Sequence, residues 1–255
     1  MIEKNINGVT FLTGQWPLSS DKATVVFIHG AGDSAFFWEN QIKGLSDEMN
    51  VIGIDLAGHG RSTTPGMETI DDYAGMVDNF IKETNIPAPI PCGLSMGGAI
   101  VLQLLLDGES DYKAGITINS GARLKVMPMI FEMINNDFQG YVNSMGGFAV
   151  SEKTDKSKFE HLIEDLAKMS PEIVNNDFKA CDSFNIMDRL EEISVPVLVL
   201  TAEDDKLAPP KYGEFLAEKI NNSSHVQISN AGHMSPVENP DEVNAAIKAF
   251  LNDFI

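Results

Sequence analysis

The stretch Ile90-Pro91-Cys92-Gly93-Leu94-Ser95-Met96-Gly97-Gly98-Ala99 joins an apolar, strand-like run (Ile90 to Cys92) to a helix-like run (Ala99 to Leu106). Gly-x-Ser-x-Gly between a strand and a helix is the pattern of a nucleophile elbow. So sharp a turn forces the central serine into a strained backbone conformation and lifts its hydroxyl clear of the sheet. Strand and helix nearly collide there, which demands small residues two positions before and after the serine. Gly93 and Gly97 meet that demand, and Gly98 lets the helix pack closer still. A helix starting at Ser95 also aims its free N–H groups and positive dipole end at any oxyanion formed on attack. Glycine and serine are common, so the motif alone leaves open a glycine-rich turn in another α/β fold. The base, the orienting acid and a second oxyanion donor must come from elsewhere in the chain.

With 255 residues, 43% of them hydrophobic and 22% charged, the chain is long enough for one large domain, with or without an inserted lobe. A formal charge of −19 argues against nucleic acid and anionic membrane surfaces as partners. Two cysteines, Cys92 and Cys181, make no disulfide framework, and no Cys/His cluster has zinc-ligand spacing. Cys92 reads as a small buried apolar residue of the strand. The start of the chain lacks an apolar signal region and no apolar run reaches membrane-spanning length, so the expectation is a cytoplasmic protein with reduced thiols and no membrane insertion.

Outward from the elbow, residues 9–13 and 24–29 read as strands. The second is a continuous apolar run, the mark of a strand buried on both faces of a parallel sheet. It ends in His29-Gly30-Ala31-Gly32, where glycines let the backbone curl and turn the Ala31 N–H toward a pocket. His29 is expected to buttress that loop. Phe36 to Glu48 has helical spacing. Val51 to Asp55 is the next buried strand, running into Leu56-Ala57-Gly58-His59-Gly60-Arg61-Ser62. No carboxylate is evident to orient His59, so Asp55, His59 and Arg61 are expected to close the loop. Thr69 to Thr84 reads as an amphipathic helix capped by Thr69. Pro87, Pro89 and Pro91 precede the elbow, and proline cannot donate to the ladder of a central strand; that strand is expected to pair poorly before Cys92 or to start late. Tyr112 to Ser120 reads as the following strand.

From 123 to 191 the periodicity turns helical and methionines and aromatics recur, predicting a helical lobe inserted between core parts 1–122 and 192–255. Met127, Phe131 and Phe138, with Met234 beyond it, are candidates for an adaptable apolar pocket wall; packing of the lobe on the core is the alternative. Val195 to Thr201 reads as a strand ending in the acidic loop Glu203-Asp204-Asp205. Three adjacent acids cannot all turn inward, so one is used and the others face water. Val226 to Ser229 reads as the last strand and Pro240 to Phe250 as the final helix. Between them His233, after Gly232, is the best of the five histidines for a base.

Alternating strands and helices predict a mostly parallel sheet covered on both faces, with ligands bound beyond the carboxyl ends of the strands. The order Ser…Asp…His, with the His29-Gly30-Ala31-Gly32 turn, the Gly58-His59-Gly60 loop, the elbow and Ala231-Gly232-His233, resembles the α/β-hydrolase superfamily, small serine esterase/lipase type with a helical cap. The resemblance chooses Asp205, four residues before Pro209, as the triad acid, with Asp204 the alternative. It implies acyl transfer: Ser95 as nucleophile, His233 as base, Asp205 as its orienter, and the N–H groups of Ala31 and Met96 as the oxyanion hole. The implied partner is a small-molecule carboxylic ester, with no metal or cofactor. A thioesterase, a C–C bond hydrolase, a perhydrolase and a non-enzymatic ligand sensor can share the same constellation.

Overall fold

The apolar runs of the sequence become one sheet with helices between its strands. In chain order the computed structural model, which describes residues 1–252, contains β1 (Ile2–Ile6), β2 (Val9–Thr13), β3 (Thr24–Ile28), α1 (Glu39–Leu45), β4 (Asn50–Ile54), α2 (Ile70–Glu83), β5 (Pro89–Leu94), α3 (Met96–Asp107), β6 (Gly115–Ile118), α4 (Pro128–Asn136), α5 (Phe138–Phe148), α6 (Glu160–Leu166), α7 (Pro171–Ser183), β7 (Val197–Ala202), α8 (Lys211–Lys219), β8 (Ser223–Ile228), α9 (Ser235–Glu238) and α10 (Pro240–Leu251). The strand order is β1-β2-β4-β3-β5-β6-β7-β8. The pairings from β4 to β8 are parallel, and β1 and β2 add an antiparallel edge.

Within β3, side chains alternate between two cores. Val26 and Ile28 pack with α2 and α3 residues such as Tyr73, Val77 and Ile100. Val25 and Phe27 pack with Trp38, with Ile42 and Leu45 of α1, and with Val243 and Ile247 of α10. The strand is therefore fully buried on both faces, as its unbroken apolar sequence requires.

The prolines before the elbow are accommodated rather than excluded. β5 pairs with β3 from Pro89 onward, so it neither starts late nor pairs poorly on that side. Thr24 N–H donates to the Ala88 carbonyl at 3.1 Å, so even-numbered residues turn their peptide groups toward β3 and odd-numbered ones toward β6. The missing N–H groups of Pro89 and Pro91 thus face β6, whose pairing with β5 begins only at Cys92.

Other departures from the sequence reading sit at the edges of the sheet and at segment ends. β1 is not evident in the sequence because it is an almost wholly exposed edge strand. β8 starts at Ser223, before the expected Val226, since its first residues are polar and solvent-facing. β6 keeps four residues of the longer expected run. Helix α1 is preceded by a 3-10 turn over Ala35–Trp38, and the run from Lys156 breaks into a 3-10 turn over Lys156–Lys158 and α6. The last three residues of the expected core part 192–255 lie outside the described residues.

Between β6 and β7 the described chain forms α4 to α7 and no strand, apart from a single bridge between Arg123 and Asn185. These helices share their own small core of Ile134, Tyr141, Val142, Leu166 and Val174. Among the described residues no helix is long and apolar enough to cross a membrane.

Candidate active site

Ser95 occupies the turn between β5 and α3 with φ 54° and ψ −114°, a strained conformation for a residue with a side chain. The crowding that forces it is measurable. A Cβ on Gly93 would lie 2.1 Å from the Gly97 carbonyl oxygen, one on Gly97 2.2 Å from that of Ile28, and one on Gly98 2.5 Å from the Ser120 side chain. The Ser120 hydroxyl donates to the Ser95 carbonyl at 2.8 Å, bracing the turn from β6.

His233 stands on the loop between β8 and α9. Its Nδ1 is 2.8 Å from Asp205 Oδ2, and the other carboxylate oxygen accepts the N–H groups of Leu207 at 2.8 Å and Ala208 at 2.9 Å. Asp205 is buried and fully satisfied, which fixes its rotamer and hence the ring it holds. Its neighbours turn outward: Asp204 accepts the Ser151 hydroxyl at 2.6 Å and pairs with Lys153, while Glu203 is exposed. The Ser151 hydroxyl and the Lys153 ammonium hold the Asp204 carboxyl below the usual carboxylate range. The His233 loop is itself pinned. Asn119 at the end of β6 donates to the His233 carbonyl at 2.8 Å, and buried Glu238 accepts the N–H groups of Gly232 at 2.9 Å and Ser151 at 2.8 Å.

Ser95, His233, Ala31, Met127 and Met234 line one cavity of about 370 Å³ beneath α4 to α6. Met96 opens α3 directly after Ser95. Neither the Ala31 nor the Met96 N–H has a protein acceptor among the described residues, whereas the neighbouring Gly32 N–H is taken by Asp177. Phe131 and Phe138, expected as wall residues, are not in the wall. Phe138 stacks behind Tyr141, with ring centroids 5.9 Å apart; Phe131 sits one position beyond Ile130, turned about 100° around the helix from it. The wall is instead built by Tyr141, Met145, Leu162, Leu166 and Phe178. The i, i+4 pairs Tyr141/Met145 and Leu162/Leu166 were the legible sign of those inward faces.

The remaining histidines take other positions. His225 bonds the Thr201 hydroxyl at 2.9 Å and His161 packs edge-on against Phe36. His29 is buried under the Ala31 loop, with Nδ1 2.8 Å from the Gly30 carbonyl and Nε2 accepting the Leu56 N–H at 3.1 Å. Burial, and then the charge of His59, hold its pKa well below the ordinary value. Asp55 ties the neighbouring loop by accepting the N–H groups of Ala35 at 2.7 Å and Arg61 at 2.8 Å. His59 corrects the sequence reading: a carboxylate does orient it, Asp177 of α7, 2.7 Å from Nε2. A further acid absent from the sequence reading lines the cavity. Asp33 follows Gly32, and burial pushes its carboxyl up to about 7. Among the described residues no group of three or more His, Cys, Asp or Glu is placed to hold a metal ion.

The alpha/beta hydrolase family model matches residues 25–246, most of the chain. The chain belongs to that family. This hydrolase is 27% identical over 243 residues to 3-oxoadipate enol-lactonase 2 of Acinetobacter baylyi, covering 92% of this chain and 91% of that protein. It is 25% identical to the pimeloyl-[acyl-carrier protein] methyl ester esterase of Pectobacterium carotovorum, over 89% of this chain and 93% of the relative. Among solved structures, a thermophilic esterase from Thermogutta terrifontis superposes with a TM-score of 0.84 at 25% identity, covering 96% of this chain and 94% of that one.

Proposed function

We propose that the protein is a serine hydrolase that cleaves carboxylic esters of small or medium acyl and alkyl groups. The observation that carries this reading is the strained Ser95 sharing one cavity with a histidine whose Nδ1 is held by a buried, fully satisfied carboxylate. Ser95 Oγ attacks the ester carbonyl while His233 Nε2 accepts its proton. Asp205 keeps the Nδ1–H tautomer and stabilises the imidazolium. The carbonyl oxygen becomes an oxyanion facing the Ala31 and Met96 N–H groups. His233 then protonates the leaving alcohol, and a water activated by the same ring hydrolyses the acyl-enzyme. Residues 123–191 act as a cap over this chemistry, and the cavity's size and apolar wall suit a ligand of modest size. Relatives named as an enol-lactonase and a methyl ester esterase support ester chemistry, a lactone being a cyclic ester.

The test is a panel of 4-nitrophenyl esters of graded chain length, with lactone and thioester arms, run on wild type and Ser95→Ala. Rapid turnover of esters by the wild type, absent in the variant, and fluorophosphonate labelling at Ser95 are expected. Preference for the thioester arm would move the assignment to a thioesterase. Tight binding without turnover would make the protein a ligand sensor and end the proposal.

A further inference from the structure

Beneath the Ala31 loop lies a second buried histidine–carboxylate pair that the proposed chemistry does not use. Asp177, on α7, is wholly buried. Its Oδ2 accepts the Gly32 N–H at 2.8 Å and faces His59 Nε2 at 2.7 Å, and its Oδ1 accepts the Tyr73 hydroxyl at 2.7 Å. His59 Nδ1 lies 3.0 Å from the Ala57 carbonyl. Both ring nitrogens of His59 therefore meet acceptors, and only an imidazolium can donate from both. His29, whose ring is 4.9 Å away, is the opposite case: its Nε2 must accept the Leu56 N–H, so it is neutral and donates from Nδ1 to the Gly30 carbonyl.

These bonds bear on two successive peptide planes. The Gly30 carbonyl and the Ala31 N–H belong to one plane and point in opposite directions, so the His29 bond aims the Ala31 N–H away from His29. The next plane ends in the Gly32 N–H, which Asp177 holds. We propose that Asp177 is a positioning residue for the oxyanion hole: from α7 it fixes the Gly32 peptide and the His59 imidazolium, and through them the direction of the Ala31 N–H. This rests on the serine-hydrolase reading above. The groups facing the pair are Asp33, Asp55, His29, Tyr73, Tyr141 and Cys181, and none of them offers Asp177 a second cation.

Asp177→Asn keeps the shape and removes the charge. Because a misaimed oxyanion donor acts on the transition state, kcat on 4-nitrophenyl acetate is expected to fall roughly 10–100-fold with KM within about threefold. The fluorophosphonate labelling rate of Ser95 should fall in parallel. Tyr73→Phe strips a bond from the other oxygen of the same carboxylate; it should lower the melting temperature while kcat stays within about twofold. A folded Asp177→Asn with wild-type kcat overturns the proposal, as does a Tyr73→Phe that loses as much kcat as Asp177→Asn. If Asp177→Asn does not fold, His59→Gln serves: a drop in kcat of roughly 5–10-fold at unchanged KM supports the role, and unchanged kcat ends it. Ser95→Ala separates the two readings. Wild-type turnover in that variant brings down the serine-hydrolase reading and this one with it. Labelling at Ser95 that is equally fast in Asp177→Asn removes this one alone.

Discussion

Two histidine–aspartate pairs of nearly equal length lie within the same fold, His233–Asp205 at 2.8 Å and His59–Asp177 at 2.7 Å. In the first, only Nδ1 is engaged, and the ring lines the cavity with its second nitrogen free of protein partners among the described residues. In the second, both nitrogens are bonded and the ring is sealed from solvent. A base needs an open nitrogen, and a structural cation needs none. The distance to the carboxylate does not distinguish a proton acceptor from a buried strut; the other side of the ring does.

The sharpest way to break this comparison is to delete each ring. His233→Ala is expected to lower kcat by on the order of 10⁴–10⁶, with a melting temperature near that of the wild type. His59→Ala strips the partner from a buried carboxylate and should cost about 3–5 kcal/mol in chemical denaturation. Equal losses of activity in the two variants would dissolve the distinction. Next comes the acid: Asp205→Asn should lower kcat by roughly 10⁴ through the wrong tautomer, well beyond the loss from Asp177→Asn, which is read from initial rates. The smallest effect concerns Asp33, the carboxyl that faces both the cavity and His59. Its folded pKa of about 7 lies above the ordinary aspartate value of 3.8, so between those values the fold binds a proton that the unfolded chain has released. Stability contributed by that proton is present at low pH and lost as pH rises through 7. Asp33→Asn should therefore match the wild type near pH 4 and be more stable at pH 8, by about 1–2 kcal/mol after screening at this partly exposed site. Melting curves at the two pH values check it.

Much of the fold was legible because its causes are local or repetitive. β3 and β4 are buried on both faces and read as apolar runs, and the cap of α2 at Thr69, which accepts the Asp72 N–H at 3.1 Å, is written within four residues. The edge strands β1 and β8 escaped or were shortened because solvent-facing strands carry polar residues that look like loop. The wall positions Phe131 and Phe138 were misjudged because residue type says what suits an apolar wall, while helix rotation says which residue reaches it.

By itself the sequence determined the elbow, since the collision of backbones around Ser95 admits only glycine at 93 and 97, and that constraint lies within a few residues. It also determined the alternation that makes a parallel sheet. The family resemblance already gave His233 its acid, Asp205; only the tertiary structure decided that His59 meets Asp177. Asp177 reads as one more polar residue on a helix, yet it reaches Gly32, 145 positions away, and His59, 118 positions away. Long-range pairing of this kind is set by how helices dock on the sheet, and no local pattern encodes it.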